Sequence, residues 1–303
     1  MPEEEPQPQP TDAVLGGMDA QPRPYDAVPG GKTKYMMLEE PVRRIDQVVD
    51  EELTELDLSG LGLEKLPPKI GKWTHLTRLN LSNNQITCIP QVLGQLSNLR
   101  ILDLSDNEIT SIPESLGQLS NLTRLDLSRN QITSIPESFG QLSNLTRLDL
   151  DNNEITSIPE SLGQLSNLIR LYLNNNEITS IPESLGQLSN LTWLDLSGNQ
   201  IISIPESLGQ LSNLTRLDLN NNKITSIPKA ITQLSNLTWL SLSTNKITFV
   251  PKTLSDMENL EILDLGKNPL FFPNSILGKI WFRFLPKPSN RIKYGMYGQT
   301  LKN

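Results

Sequence analysis

The chain is poor in the residues on which most enzymes and metal sites depend. Among 303 residues it has one cysteine, Cys88, so neither an intramolecular disulfide nor a cysteine-based zinc site can form. Its one histidine, His75, excludes a metal site built on two histidines. No nucleophile–base arrangement accompanies that histidine along the sequence. We therefore predict a protein that is not an enzyme and that uses no cofactor or metal.

Long apolar runs and an excess of basic charge are also missing. No apolar stretch approaches the roughly 18 residues that a membrane-spanning helix needs. The first ten residues, MPEEEPQPQP, lack the basic and apolar regions of a secretory signal. A net charge of −8 argues against nucleic-acid binding by the chain as a whole. These features predict a soluble, cytoplasmic protein whose partners include neither nucleic acid nor a membrane.

What is present is dominated by a repeat of 23 residues. Each unit begins Leu-x-x-Leu-x-Leu-x-x-Asn, as in Leu122, Leu125, Leu127 and Asn130. Leu125 and Leu127 alternate with polar residues, which is the period of a short strand with one buried face. One unit cannot bury its leucines alone, so the units must stack into a continuous sheet and core. The ten units start at Leu53, Leu76, Leu99, Leu122, Leu145, Leu168, Leu191, Leu214, Leu237 and Leu260.

This pattern is identified as the leucine-rich repeat. It implies an α/β fold, a horseshoe-shaped leucine-rich repeat solenoid of ten units, with a concave parallel β-sheet and short convex helical segments. The unit IPESLGQLSNLTRLDLS resembles one intracellular subclass, that of plant Ras-group proteins, animal Ras-scaffold proteins and the repeat portion of Roco proteins. The stretch PVRRIDQVVDEELTELDLSGLGLEKLPPKIGKW is similar to the start of bacterial Roco-type arrays. The resemblance covers about residues 41–275 and implies a protein-interaction array in signalling.

Roco proteins follow their repeats with a Ras-like GTPase domain. This sequence ends within about 30 residues of its last repeat and contains no complete phosphate-binding loop. The resemblance therefore implies the repeats without the GTPase domain, and GTPase activity is not expected.

Composition divides the chain into four parts. Residues 1–34 are rich in proline, glycine and acids, which predicts a disordered tail. Residues 35–52 include PVRRIDQVVDEE, whose apolar residues share one helical face, and we predict an N-terminal capping helix. The repeat array occupies residues 53–273. Residues 274–303 begin with NSILGKIWFRFL and predict a C-terminal cap followed by a basic tail.

Three columns of the repeat have structural interpretations. The asparagine column, from Asn84 to Asn268, can satisfy backbone groups of adjacent loops with its side-chain amides. The proline column lies where a convex helix would begin, with a backbone φ already suited to it. The glycine column, from Gly71 to Gly209, looks structural.

Because the units are nearly identical, the positions that depart from the template are the informative ones. Tyr172, Trp193 and Trp239 replace polar or charged residues beside the buried leucines, where side chains point to the free face of the sheet. Aromatic residues next to arginine are enriched in protein interfaces. We therefore predict a partner-binding site on the concave face of units five to nine. Its residues are Arg147, Arg170, Tyr172, Trp193, Arg216 and Trp239.

The competing interpretation is a cation–π ladder, Arg170–Trp193–Arg216–Trp239, that serves stability alone. In the same way, an arginine two residues before an aspartate on three strands, as in Arg147 and Asp149, predicts a mutually neutralised polar face. The residue after the proline column is glutamate in units three to seven and then becomes Lys229 and Lys252. That change of sign either orients a partner or reflects drift during duplication.

Three functions stay open at this point. The first is a non-enzymatic scaffold for a protein partner, such as a small GTPase or another signalling protein, bound on the concave face. The second is an accessory or detached repeat part of a Roco-type or Ras-like GTPase system that binds a GTPase in trans. The third is a peripheral membrane-surface adaptor that acts through the basic, aromatic residues 273–303.

Overall fold

The computed structural model describes residues 54–271, which form one parallel sheet of ten short strands with 3₁₀ helices between them. The strands are β1 Glu55–Asp57, β2 Arg78–Asn80, β3 Ile101–Asp103, β4 Arg124–Asp126, β5 Arg147–Asp149, β6 Arg170–Tyr172, β7 Trp193–Asp195, β8 Arg216–Asp218, β9 Trp239–Ser241 and β10 Ile262–Asp264. The 3₁₀ helices are η1 Pro68–Lys72, η2 Gln91–Gln95, η3 Glu114–Gln118, η4 Glu137–Gln141, η5 Glu160–Gln164, η6 Glu183–Gln187, η7 Glu206–Gln210, η8 Lys229–Gln233 and η9 Lys252–Asp256. The predicted solenoid of ten units is confirmed.

The strands follow one another across the sheet in chain order, from β1 to β10. Each residue pairs with the residue one repeat further on; Leu125, for example, lies opposite Leu148. Because the register never shifts, every column of the repeat becomes a straight row across the sheet. This regularity allows outward-facing residues to be assigned to one surface from the sequence alone.

A single continuous core runs through the described units from Leu56 to Leu263. The strand leucines, the two isoleucines of the loop and one large apolar residue of each helix, from Ile70 in η1 to Leu254 in η9, are buried in it. In η4 that residue is Phe139, which is fully buried where the neighbouring units have leucine. Burying one such side chain contributes about 1.5–3 kcal/mol, so the stack of leucine layers dominates the stability of the array.

The asparagine column satisfies loop backbone, as predicted. The Oδ1 atom of Asn153 accepts a hydrogen bond of 3.0 Å from the backbone N–H of Ile132 in the preceding repeat. Its Nδ2 atom donates to the carbonyls of Leu127, at 3.0 Å, and Leu150, at 3.1 Å. The same set recurs at Asn107 and Asn222. Each buried amide therefore joins two repeats.

The convex side shows why the proline and glutamate columns recur. Pro159 precedes η5 with a φ of −70°, a value close to that of the helix it introduces. The Oε2 atom of Glu160 then accepts a hydrogen bond of 3.3 Å from the N–H of Ser184, one repeat further on. Glutamate thus caps the next helix, a structural role that we had not predicted. Lys229 ends this series, because an ammonium group cannot accept a hydrogen bond.

The glycine column allows consecutive helices to approach closely. A Cβ atom placed on Gly163 would lie 2.5 Å from the carbonyl oxygen of Ser184 in the following repeat. That distance is too short for any side chain, so the structural interpretation of the column is confirmed. Thr232 and Ser255 take its place in η8 and η9.

Several predictions fall outside the described residues. They are the disordered tail, both caps, and the first residue and last two residues of the predicted array. None of the helices found between residues 54 and 271 has the length and hydrophobicity needed to cross a membrane.

Candidate functional site

The six residues of the predicted site lie on the outward, concave face of β5 to β9. Two neighbouring rows of the sheet supply them. One row runs Arg147, Arg170, Trp193, Arg216, Trp239, and the other runs Asp149, Tyr172, Asp195, Asp218, Ser241. The structure therefore places all six predicted residues on a single surface.

Five of the six form an unbroken chain of contacts. The guanidinium carbon of Arg147 lies 4.7 Å from the centroid of the Tyr172 ring. That ring meets Trp193 edge to face, with centroids 5.4 Å apart. Arg216 lies between two indoles, with its guanidinium carbon 4.3 Å from the Trp193 centroid and 3.3 Å from the Trp239 centroid. We refer to Arg147, Tyr172, Trp193, Arg216 and Trp239 as the aromatic patch.

Arg170 is the exception among the six. It is exposed, and within residues 54–271 it has neither an ion pair nor a ring contact. The alternative ladder is therefore formed from Trp193 to Trp239 but not from Arg170 to Trp193. Only part of the predicted cation–π ladder exists.

Trp193 also carries a polar group without a partner. Its indole N–H is buried and finds no hydrogen-bond acceptor in the part of the chain that the structure describes. An unsatisfied buried donor costs about 1–3 kcal/mol. This cost offsets part of the stabilisation that Trp193 gains from its contacts with Tyr172 and Arg216.

The aspartate row has a role beyond charge neutralisation. Arg147 does form the predicted ion pair with Asp149, at 3.0 Å. The Oδ1 atom of Asp195, however, accepts hydrogen bonds from the backbone N–H of Ser197, at 3.0 Å, and from its hydroxyl, at 2.7 Å. This is an Asx-type cap of the turn that follows the strand. A serine or asparagine two residues after many of the aspartates was the sequence signal for it.

The environment of the patch shifts three pKa values. Burial, reinforced by the neighbouring carboxylate of Asp218, raises the pKa of Asp195 to about 6, against the opposing effects of Ser197 and Arg216. Burial also raises the pKa of Asp218 and of Tyr172. Two carboxylates on adjacent strands are thus held where their charged forms are disfavoured.

This arrangement predicts a pH-dependent effect of Asp195→Asn. Because the folded-state pKa lies above the unfolded value of about 3.9, the carboxylate destabilises the fold above about pH 6 and ceases to do so as the pH falls. The asparagine should keep the turn cap, since Asn80 in the same row accepts from Ser82 at 3.0 and 2.8 Å. The stabilisation by Asp195→Asn should be about 2 kcal/mol larger near pH 7.5 than near pH 4.5.

Urea denaturation at the two pH values measures this difference. Asp57→Asn is the matched control. Asp57 lies in the same row as Asp195 and accepts a hydrogen bond from the N–H of Ser59, but its neighbour on the adjacent strand is Asn80 rather than an acid. An equal effect of Asp195→Asn at both pH values would contradict the prediction.

A groove beside the patch was not predicted from the sequence. It is open, has a volume of about 700 Å³ and follows the N-terminal ends of β5 to β9. It is lined by Asn144, Thr146, Asn167, Ile169, Asn190, Thr192, Asn213, Thr215 and Asn236. Ile169 is 40% exposed and stands where both neighbouring repeats have threonine. That departure from the template was visible in the sequence, one position before Arg170.

The fold and its open concave face define a solenoid protein whose side chains are presented on a rigid sheet. The family model of the leucine rich repeat matches residues 51–109, 97–155, 143–201 and 205–270, and the chain belongs to this family. It shows no detectable similarity to a curated protein.

Solved structures of the same fold include bacterial and plant proteins. A leucine-rich repeat protein of Leptospira interrogans is 32% identical, with a TM-score of 0.64 over 80% of this chain and 67% of the other. The ectodomain of the Arabidopsis thaliana receptor kinase GASSHO1/SCHENGEN3, in complex with CASPARIAN STRIP INTEGRITY FACTOR 2, is 38% identical with a TM-score of 0.68. The plant peptide hormone receptor RGFR1, in complex with RGF2, is 37% identical with a TM-score of 0.66. The similarity covers 73% and 72% of this chain but only 28% and 36% of the two plant proteins.

Proposed function

We propose that this protein is a non-enzymatic scaffold that binds a protein partner on its concave face, in the cytoplasm and in intracellular signalling. The observation that carries the proposal is the aromatic patch. Its three aromatic residues replace the polar template residues in the outward rows of β6, β7 and β9. Tyr172 contacts Trp193, and Arg216 connects Trp193 to Trp239.

The patch has the physical properties of a binding surface. Its rings and guanidinium groups are held by mutual contacts on a rigid sheet, so little side-chain entropy is lost when a partner binds. Tryptophan, tyrosine and arginine are also the residues on which interface binding energy concentrates.

The structural relatives and the subclass resemblance guide the choice of partner. The two plant receptors were solved in complexes with CASPARIAN STRIP INTEGRITY FACTOR 2 and RGF2, which is consistent with a ligand-binding role for such arrays. The resemblance to Ras-group and Roco repeats makes a small GTPase, bound in trans, the first candidate. The membrane-adaptor alternative depends on residues 273–303, which lie outside the described residues.

The test is the double variant Trp193→Arg with Trp239→Arg. Arginine is the template residue at both positions, as Arg124 and Arg147 show, so we expect the fold to be retained. Removing two true anchors should weaken partner binding by at least about 2 kcal/mol, or thirtyfold. Affinity capture identifies the partner, and titration calorimetry with the purified partner measures the loss.

Ile101→Arg is the matched control, because it restores the same template residue in β3, two strands from the nearest member of the patch. It should leave affinity unchanged. Unaltered binding by the double variant would reject the site. A fall in melting temperature as large as that of a core substitution would instead show that the patch is structural.

A further inference from the structure

We infer that the binding surface continues from the aromatic patch over the N-terminal end of β6 into the groove, and that it takes an extended peptide segment in which a carboxylate lies beside an aliphatic side chain. The inference rests on the proposed concave-face function and defines the chemistry of its partner.

The preference for a carboxylate is inferred from which of the three arginines near β6 already have partners within the protein. Arg147 is paired with Asp149 and covers the ring of Tyr172, and Arg216 lies between two indoles. Both cations are already engaged within the protein. Arg170 lies between them in the same row and has no ion pair or ring contact among the described residues.

A guanidinium group binds a carboxylate through two parallel hydrogen bonds, which gives both strength and geometry. On β6 Tyr172 replaces the template aspartate, so Arg170 lacks the acid that Asp149 supplies to Arg147 on the adjacent strand. The ligand group that fits Arg170 is therefore an anion presented at the sheet surface.

The preference for an aliphatic residue in the ligand is inferred from Ile169. In the neighbouring repeats, the hydroxyls of Thr146 and Thr192 donate to carbonyls of the preceding repeat, at 2.9 and 3.1 Å. Isoleucine forgoes that bond and exposes apolar surface in the groove instead. It immediately precedes Arg170, so an aliphatic residue and a carboxylate adjacent in a ligand would meet both at once.

The groove suits a polypeptide backbone. Its volume of about 700 Å³ falls within the roughly 300–1,000 Å³ typical of ligand sites. Asn167 donates one N–H of its amide to the Ser143 carbonyl at 2.8 Å, which fixes the side chain. The second N–H and the Oδ1 atom of such an amide stay available to the peptide groups of a ligand. An extended segment fits this lining, because its peptide groups are not hydrogen-bonded to one another and are free to bond to such amides.

The experiment selects peptides from a phage-displayed library of random linear sequences on the full-length protein. We expect the selected sequences to be enriched in aspartate or glutamate next to leucine, isoleucine or valine. A labelled synthetic peptide of the selected sequence is then titrated by fluorescence anisotropy. Arg170→Ala should weaken its binding at least about tenfold, and Ile169→Thr, which restores the template, at least about threefold.

Two further measurements isolate the proposed contact. Replacing the peptide carboxylate by its amide should weaken binding to the natural protein but have little effect on Arg170→Ala, as expected of a directly interacting pair. Arg124→Ala is the control, because it removes an arginine of the same row two strands away and should leave binding unchanged.

The outcomes separate the two proposals. Selected peptides that need Trp193 and Trp239 but carry no acid, or bind Arg170→Ala normally, would overturn this inference and leave the concave-face function standing. Failure to select any peptide would also overturn this inference alone, because a folded partner can bind the patch without a linear motif. Peptides indifferent to the two tryptophans would overturn both proposals.

Discussion

Asn153→Ala is expected to lower the free energy of unfolding by about 3–5 kcal/mol, although the residue is polar and contributes nothing to the leucine core. Its amide accepts from the N–H of Ile132 and donates to two buried carbonyls in adjacent repeats. Alanine would leave these backbone groups buried without partners. Each such group costs about 1–3 kcal/mol, which is why the loss should exceed that of an ordinary hydrogen bond.

Asn144→Ala provides the matched control. It removes the same side chain from an exposed asparagine at the end of the preceding repeat, which makes one bond of 2.8 Å to the Ser120 carbonyl. The expected cost there is at most about 1 kcal/mol, because water can replace the lost partner. Urea denaturation of both variants measures the difference. Equal losses would mean that the buried amide column is not what joins the repeats.

Gly163→Ala should be similarly damaging, with a loss of about 2–4 kcal/mol from the addition of one methyl group. Its Cβ atom would lie 2.5 Å from the backbone oxygen of Ser184. A backbone carbonyl cannot rotate away as a side chain can, so η5 and η6 would have to separate. That separation would also stretch the hydrogen bond between Glu160 and the N–H of Ser184.

Ser255→Ala tests whether the effect belongs to the close approach. Ser255 occupies the same column in η9, and its Cβ atom is already accommodated there. Thermal unfolding should show little change for this variant and a clear decrease for Gly163→Ala. A small effect of Gly163→Ala would show that the convex helices are not held in tight contact.

The sequence predicted the fold because its period and its columns are sufficient for that purpose. Because the repeat length is constant at 23 residues, only one register pairs equivalent residues of adjacent strands. Rows such as Arg147, Arg170 and Trp193 could therefore be assigned to one face from the sequence. The buried asparagines and the crowded glycines were predictable for the same reason. Each has one chemical role that its position in the unit allows.

The details that escaped prediction depend on how side chains reach into the next repeat. A column identifies the row of a residue but not the direction of a long side chain. Arg216 lies between two indoles while Arg170, with the same backbone setting, extends to solvent. The glutamate caps and the aspartate turn caps also depend on such directions. Ile169 is different, since its departure from the threonine column could be read directly from the sequence.

The asparagine ladder has a consequence for how such a protein changes over generations. Its hydrogen bonds between repeats join residues only 21 to 26 positions apart. A unit gained or lost by unequal recombination therefore leaves every remaining unit with a neighbour that offers the same partners. Recombination of this kind can add or remove whole repeat units between the aromatic patch and either end of the array. Each such event moves the patch along the solenoid by one strand spacing, about 4.8 Å, without rebuilding the patch itself.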